Sequence, residues 1–171
     1  MKHVILLRHA KSSWKNPTLD DADRPLAERG ERDAPRMAER LKKRGAQPTL
    51  LLTSHARRAL RTAEIVGRAL GLGPARMHTL PELYLASPDA LRRVLAAQDD
   101  AHDCVLLVGH NPGLTDFVND LLPGLALDNL PTAGVVGVEL DASAWSAAAR
   151  LRGRLEYLDY PKNPARVVAK S

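Results

Sequence analysis

Three shortages in the sequence exclude whole classes of protein. The chain has a single cysteine, Cys104, so no intrachain disulfide is possible, and its place in the apolar run CVLLV is typical of a small buried side chain. This favours a reducing compartment, and we expect a cytoplasmic protein. No apolar stretch approaches the roughly 20 residues that cross a bilayer, so no membrane association is expected.

Aromatic residues are also scarce, at 4% of the chain. The formal net charge of +5 is compatible with nucleic acid, with an acidic substrate or with an arginine-rich organism. Lysine and arginine, however, alternate with aspartate and glutamate in helical segments such as 29–45. No basic run is interleaved with aromatic side chains that could stack on bases. We therefore expect no nucleic acid as a partner.

The length and the apolar runs indicate the kind of domain. A chain of 171 residues with 44% hydrophobic content is long enough for one buried core and too short for two, so we expect a single domain over 1–171. Short continuous apolar runs predict strands buried on both faces. They occupy residues 3–7, 49–53 and 104–109. Residues 133–140 and 154–160 alternate more and are expected to form an edge hairpin.

Helical periodicity fills the segments between these strands. It covers residues 26–44, 56–70 and 89–98, and a fourth helix is expected from Pro112. Ser87 and Pro88 fit the N-cap and the first position of the third helix. Pro35 predicts that the first helix is kinked or begins after Leu26. Because strands and helices alternate, the sequence predicts an α/β fold with a mostly parallel sheet and helices on both faces.

Basic and imidazole side chains follow three of the predicted strands at the point where each strand ends. Arg8 and His9 follow the first strand, Ser54 and Arg58 the second, and His110 the third. The carboxyl ends of parallel strands share one edge of the sheet, where ligands bind in open α/β folds, so we expect these residues to converge. Arginines and histidines without a carboxylate cluster or cysteine pair suit an anion rather than a metal ion. No metal and no cofactor are expected.

Two helix starts at the same edge add backbone N–H donors. Asn111 fits the N-cap of the helix expected from Pro112, which would direct free N–H groups into the crevice. Ser54 fits the N-cap of the second helix, which would carry Arg58 inward with Thr62 one turn further along the same face. Both starts favour an anion-binding site.

Four segments carry a resemblance to a known family. They are LLRHAKSSW (6–14), TSHARRALRTAE (53–64), PELY (81–84) and VGHNPGLTDF (108–117). They resemble the signatures of the histidine phosphatase superfamily, the phosphoglycerate mutase-like proteins, and within it the small phosphohistidine phosphatases of the SixA type. The similarity runs from about His3 to Val138. It implies a three-layer αβα fold and a covalent phosphohistidine intermediate.

The resemblance also implies roles for individual residues. His9 matches the nucleophile, while Arg8, Arg58 and His110 match the groups that hold the phosphoryl oxygens. We choose Arg58 over Arg57 because the family arginine precedes a small residue and stands four residues before a threonine, a spacing that Arg58 reproduces.

Other positions match the family less closely. Ser12 stands where the family has a phosphate-binding threonine, and Ala10 replaces the glycine that commonly follows the Arg-His pair. Glu82 matches the place of the acidic residue that many members use as general acid. Substrate binding is expected of Ser12 and of three further residues: Lys11, Arg24 and Asn111.

These residues together predict a metal-independent phosphatase. A neutral His9 would attack phosphorus in line, and Arg8, Arg58 and a protonated His110 would stabilise the charge on the phosphoryl oxygens. A phosphorylated protein, with phosphohistidine foremost, is the expected substrate. Small phosphorylated metabolites are the alternative.

Three other functions compete with hydrolysis. A phosphoglycerate-type mutase would need loops over the site, and only residues 20–25 and 122–131 are obvious covers, so hydrolysis is favoured. A non-catalytic phosphoprotein-binding module would not need the complete histidine set. A nucleic-acid binder would show affinity that falls steeply with salt, and no motif supports it.

Overall fold

The computed structural model describes residues 1–150 and 152–164. Its six strands are β1 Lys2–Arg8, β2 Leu50–Thr53, β3 Met77–Thr79, β4 Cys104–Gly109, β5 Val135–Leu140 and β6 Arg154–Asp159. They form one sheet in the order β3-β2-β4-β1-β5-β6. Strands β1 to β4 are mutually parallel, whereas β5 runs antiparallel to β1 and β6 antiparallel to β5. The predicted, mostly parallel sheet is confirmed.

Helices cover both faces of this sheet. They are α1 Glu28–Lys43, α2 Arg57–Ala69, α3 Pro88–Ala96, α4 Gly113–Leu121 and α5 Trp145–Ala148. Ile5 and Leu7 of β1 share a core cluster with α1 and α2, while Val4 and Leu6 belong to the cluster formed with α3, α4 and α5. The alternation follows from the period of two along a strand. The three-layer αβα fold is therefore confirmed.

Two of the predicted helix starts agree with the structure. Helix α1 begins at Glu28, after Leu26, and continues through Pro35. Helix α3 begins at Pro88, and the Ser87 hydroxyl accepts a hydrogen bond from the Ala90 N–H at 3.2 Å. That bond satisfies one of the four N–H groups that a helix start leaves without an intrahelical partner.

Two predicted N-caps are wrong. The N-cap of α2 is Ala56 rather than Ser54, and the N-cap of α4 is Pro112 rather than Asn111. The Ser54 hydroxyl lies 2.6 Å from a ring nitrogen of His110. Asn111 Oδ1 accepts from the side chain and the backbone N–H of Thr115 in the first turn of α4, and its amide nitrogen donates to the backbone oxygen of Leu130 at 3.0 Å. Both side chains make tertiary contacts that local spacing does not reveal.

The sequence pattern predicted one edge of the sheet and missed the other. Strand β3 escaped prediction because it is only three residues long and mostly exposed, so it has no apolar run. The antiparallel pairing of β5 with β6 at the other edge is confirmed, although α5 lies in the connection.

The strand register brings the carboxyl ends of β1, β2 and β4 to one edge. Arg8 lies opposite Gly109, and Thr53 lies opposite Val108. The residues that follow, His9, Ser54 and His110, therefore start at the same level of the sheet.

Candidate active site

A cavity of about 220 Å³ opens at this edge of the sheet. Its lining includes eight of the nine predicted site residues: Arg8, His9, Lys11, Ser12, Arg24, Arg58, His110 and Asn111. Trp14, Leu85 and Thr132 complete the lining. The convergence expected from the strand ends is therefore present in the structure.

His9 is buried and its ring is fixed by one hydrogen bond. Its Nδ1 lies 2.8 Å from the backbone oxygen of Ala10. A carbonyl only accepts, so Nδ1 carries the proton and Nε2 keeps its lone pair. Burial above all, together with the nearby His110, Arg58 and Arg8, lowers the pKa of His9 to about 3 against the opposing effect of the Ala10 bond. His9 is a neutral imidazole at pH 7.

His110 is neutral as well. Burial, followed by the charge of Arg58, lowers its pKa to about 4. Arg58 Nη2 lies 3.4 Å from Nδ1 and can only donate, so Nδ1 is the acceptor and Nε2 carries the proton toward the Ser54 hydroxyl, 2.6 Å away. The two histidine rings lie 5.2 Å apart between centroids. In this arrangement a cationic His110 ring would face the Arg58 guanidinium in a buried site, which disfavours the charged form.

Arg58 is held by an acidic residue that the sequence reasoning missed. Its Nη1 donates to the backbone oxygen of Asp21 at 2.7 Å and its Nη2 to the Asp21 carboxylate at 2.9 Å. The same carboxylate accepts from the Tyr84 hydroxyl and, at 3.2 Å, from Arg24. The Tyr84 bond and the two arginines lower the pKa of Asp21 to about 2. The only signal in the sequence is the acidic run of 20–23 just before Arg24.

Arg24 connects the loop after β1 to the loop before α1. Its Nη2 donates to the Ser12 hydroxyl at 2.6 Å, and its Nε donates to the backbone oxygen of Ser13 at 3.2 Å. The guanidinium carbon lies 3.3 Å from the ring centroid of Trp14. Arg24 is buried at 7% exposure, so this charge belongs to the site rather than to the surface.

Arg8 retains hydrogen-bonding capacity. Its Nη1 donates to the backbone oxygen of Leu130 at 3.0 Å, while its Nε is buried and has no hydrogen-bond partner among residues 1–150 and 152–164. Burial and the neighbouring Arg58 lower the pKa of Arg8. A buried donor without a partner costs about 1–3 kcal/mol, and an anion held here would supply an acceptor.

Thr62 and Asn111 hold neighbouring groups of the site in position. The Thr62 hydroxyl accepts from the Ala10 N–H at 3.0 Å and donates to the Arg58 backbone oxygen at 2.8 Å, so it ties the residue after His9 to α2. The Asn111 side-chain amide donates to the Leu130 oxygen at 3.0 Å, the same oxygen that Arg8 uses. Asn111 thus fixes the acceptor that orients Arg8.

Glu82 is the predicted site residue that the structure does not bring to the others. It is exposed and lines a separate cavity beside α3, with Arg93 among its neighbours. The reason is local: the short turn Pro81–Leu83 buries Leu83 in the core, which leaves Glu82 on the outside. Tyr84, one residue beyond this turn, is the side chain that reaches the site network.

Comparison with known proteins relates this chain to a protein family. A sequence model of the histidine phosphatase superfamily (branch 1) matches residues 4–91. An uncharacterised chloroplastic protein of Arabidopsis thaliana is 31% identical over 160 residues, which cover 89% of this chain and 72% of that protein. A 2,3-bisphosphoglycerate-dependent phosphoglycerate mutase of Corynebacterium kroppenstedtii is 45% identical, but over 64 residues only, 36% of this chain and 26% of the mutase.

Two solved structures match over nearly their whole length. A protein from Agrobacterium tumefaciens, assigned as the phosphohistidine phosphatase SixA, has a TM-score of 0.79 and 28% identity, with 94% of this chain and 99% of that chain covered. The structure of the protein histidine phosphatase SixA complexed with tungstate also has a TM-score of 0.79, at 27% identity. The match covers 93% of this chain and 97% of that chain. Among the residues described here, no helix has the length and apolar character that crossing a membrane requires.

Proposed function

This chain belongs to the histidine phosphatase superfamily, and from that premise we propose that it hydrolyses phosphoryl groups through a covalent intermediate on His9. The observation that carries the proposal is the state of His9: a buried, neutral imidazole whose Nδ1 proton is held by the Ala10 oxygen. Its Nε2 lone pair faces a cavity that four cationic side chains line, namely Arg8, Lys11, Arg24 and Arg58.

In the first half of the reaction, Nε2 of His9 attacks phosphorus as the bond to the leaving group breaks. The charge on the equatorial oxygens is met by guanidinium N–H groups of Arg8 and Arg58. These donors are already held by Leu130 and Asp21, so little reorganisation accompanies the reaction. An approaching phosphoryl dianion also raises the pKa of His110, which lets His110 become a further cationic donor.

In the second half, a water molecule attacks the phosphorylated His9. The bond from Nε2 to phosphorus breaks, inorganic phosphate leaves with the oxygen of water, and His9 returns to its neutral form. Fixed arginines serve the charge-stabilising purpose for which many phosphoryl-transfer enzymes use Mg²⁺. We therefore propose that hydrolysis needs no metal ion.

The carboxylates around the site favour a phosphohistidine substrate over a phosphate ester. An alkoxide leaving group needs a proton donor, but Glu82 lies in a different cavity, and the pKa of Asp21 is lowered to about 2. Asp21 is therefore ionised near pH 7 and has no proton to give. Imidazole leaves more readily than an alkoxide, so a phosphohistidine depends less on such a donor.

Exposed apolar side chains at the mouth favour a protein over a small metabolite. Trp14 is 70% exposed and Leu85 is 56% exposed, and both line the cavity that holds His9. Exposed apolar groups beside a polar pocket are typical of surfaces that a macromolecule covers. We propose a phosphorylated protein as substrate; a small phosphorylated metabolite remains the second candidate, since the basic cavity alone would suit either.

The test uses two substrates in excess EDTA: para-nitrophenyl phosphate and a protein phosphorylated on histidine by phosphoramidate. We expect turnover of both by the intact protein, a higher kcat/KM for the phosphoprotein, and no turnover by His9→Ala. His55→Ala, which changes a neighbouring histidine that does not line the cavity, is the matched control. Full activity in His9→Ala would remove His9 from the mechanism, and tight binding without turnover would identify a binding module instead.

We further propose that the protein works in a reducing compartment such as the cytoplasm. The support is the lone Cys104, which is half-buried and whose pKa is raised to about 12 by burial, so that it stays an unreactive thiol. Fractionation of cells that express the full chain checks this location.

A further inference from the structure

A second group of chemically active side chains lies at the opposite end of the sheet from His9. It consists of His3 on β1, Glu139 on β5 and Glu156 on β6. His3 is about 20 Å from His9 along β1, because six residues of strand rise about 3.3 Å each. The phosphatase mechanism uses none of the three, so they need a separate account.

The three side chains already converge on one point. One ligand atom from each lies within 4.8 Å of the others. His3 Nδ1 is 2.8 Å from Glu156 Oε1, and these two side chains are 33% and 32% exposed. An ion from solvent could reach them without any rearrangement of the core.

The strand register explains why they meet. His3 and Glu139 are direct partners in the antiparallel pair β1–β5 and so share one face of the sheet. Glu156 is brought to the same place by a β-bulge between β5 and β6, where the pairing passes from Gly137 with Tyr157 to Val138 with Leu155. A bulge re-aims the side chain of the extra residue. Three adjacent strands therefore hold the three ligands.

A cavity adjoins the group and leaves room for solvent ligands. It has a volume of about 330 Å³ and is lined by His3, Glu156, Cys104 and Tyr157, among others. None of its lining residues also lines the cavity around His9. The ligand set would thus be completed by water rather than by groups of the active site.

We propose that His3, Glu139 and Glu156 bind a divalent transition-metal ion, with Zn²⁺ the preferred occupant. One imidazole nitrogen and two carboxylate oxygens suit Zn²⁺, which takes four ligands and accepts water as the fourth. Mg²⁺ prefers oxygen ligands in an octahedral set, so it binds more weakly here. The bound ion links β6 and β5 to β1 and so anchors the antiparallel edge of the sheet.

Arg154 competes with the ion for one ligand. Its Nη2 lies 2.5 Å from Glu139 Oε1 and its Nε 3.1 Å from the same oxygen. The Arg154 side chain is 46% exposed, so this pair contributes little to stability. Removing the guanidinium would free the carboxylate and strengthen metal binding, which a merely structural ion pair does not predict.

The experiment is calorimetric titration of the untagged, EDTA-dialysed protein with ZnCl₂ and, separately, with MgCl₂. We expect one Zn²⁺ per chain and a much weaker response to Mg²⁺. His3→Gln and Glu156→Gln should each weaken Zn²⁺ binding by about tenfold or more, since changes around metal ligands typically cost 10- to 100-fold. Arg154→Gln should strengthen it. His78→Gln, which changes an exposed histidine on β3, is the control and should bind as the parent does.

The outcomes separate this site from adventitious binding and from the active site. No Zn²⁺ binding by the parent protein, or binding that His3→Gln leaves unchanged, overturns the proposal. Loss of binding in His9→Ala but not in His3→Gln places the ion at the phosphatase site instead. If His3→Gln and Glu156→Gln do not fold, the Arg154→Gln variant still tests the proposal. An unchanged or lower Zn²⁺ affinity in that variant contradicts Glu139 as a ligand.

Discussion

Asp21 holds Arg58 by both its backbone oxygen, at 2.7 Å, and its carboxylate, at 2.9 Å. The loop of 20–25 is therefore not only a cover over the site but the part that orients its central arginine. Asp21 lies far in sequence from the strand ends, yet it controls the direction of the guanidinium of Arg58, a residue that follows β2. The predicted consequences of this network and of the two histidines can be measured.

Asp21→Asn should lower kcat/KM for phosphorylated substrates by roughly fivefold, because a partly exposed ion pair contributes on the order of 1 kcal/mol. The amide keeps the shape but loses the charge that orients Arg58. Steady-state kinetics measure the loss. Asp23→Asn, a change two residues away in the same turn, is the control and should leave kcat/KM unaltered; equal losses in both variants would contradict a specific role for Asp21.

The pH dependence of kcat/KM should lack an acid limb near pH 6.5. His9, the proposed nucleophile, stays neutral well below pH 6.5 because burial lowers its pKa to about 3. Since kcat/KM reports groups of the free enzyme, the profile between pH 5 and 8, corrected for ionisation of the substrate, should be flat on the acid side. A loss of activity that titrates near pH 6.5 would show that His9 is not shielded as described.

The same burial makes stability depend on pH. Between about pH 3 and pH 6.5 the unfolded chain binds protons at His9 and His110 that the folded chain does not bind. The free energy of unfolding should therefore have its full value above pH 6.5. It should fall as the pH is lowered toward the pKa values that the two histidines have in the folded protein. Urea unfolding at pH 7.5 and pH 5.0 measures the decrease. His9→Gln removes one of the two groups and should show a smaller decrease.

Glu82→Gln should leave hydrolysis of para-nitrophenyl phosphate unchanged within about twofold, since a general acid typically contributes about 10²- to 10⁴-fold and Glu82 lies outside the cavity. The general-acid role that the family resemblance implies for Glu82 would instead require a slower variant. A hundredfold loss in kcat, with the fold intact by circular dichroism, would return Glu82 to the mechanism.

Trp14→Ala and Leu85→Asn should each lower kcat/KM for a histidine-phosphorylated protein by about tenfold, as loss of an anchoring side chain at an interface does. Both should act on para-nitrophenyl phosphate as the parent does, because that substrate does not extend to the mouth. Asparagine is chosen at position 85 because the backbone φ there is +49°, which asparagine tolerates. Equal losses on both substrates would indicate damage to the site rather than a lost contact.

Much of the site could be predicted because the carboxyl ends of parallel strands lie at one edge of the sheet. Continuous apolar runs located β1, β2 and β4, and parallel pairing then required Arg8, His9 and His110 to meet. The family resemblance selected Arg58 over Arg57, and the buried state of Arg58 in the structure, at 4% exposure, agrees with that choice.

What escaped prediction depends on contacts between distant segments. The tie between Asp21 and Arg58 joins residues 37 apart, and no local pattern marks it. Ser54 and Asn111 have the side chains of N-caps but precede the caps of their helices, and both also bond to tertiary partners, which capping rules do not give. The charge of His110 depends on burial and on Arg58, neither of which sequence spacing gives. Position in sequence located the residues, whereas their protonation and their partners required the fold.

The hydrogen bond from His9 to the Ala10 oxygen has a further consequence for the chemistry. Imidazole offers two nitrogens to an electrophile, and free histidine can yield two phosphoramidate isomers. Here one nitrogen is masked by a carbonyl of the next residue, which acts as a protecting group does in synthesis. The proposed intermediate on His9 should therefore be a single regioisomer, phosphorylated on the nitrogen remote from the backbone.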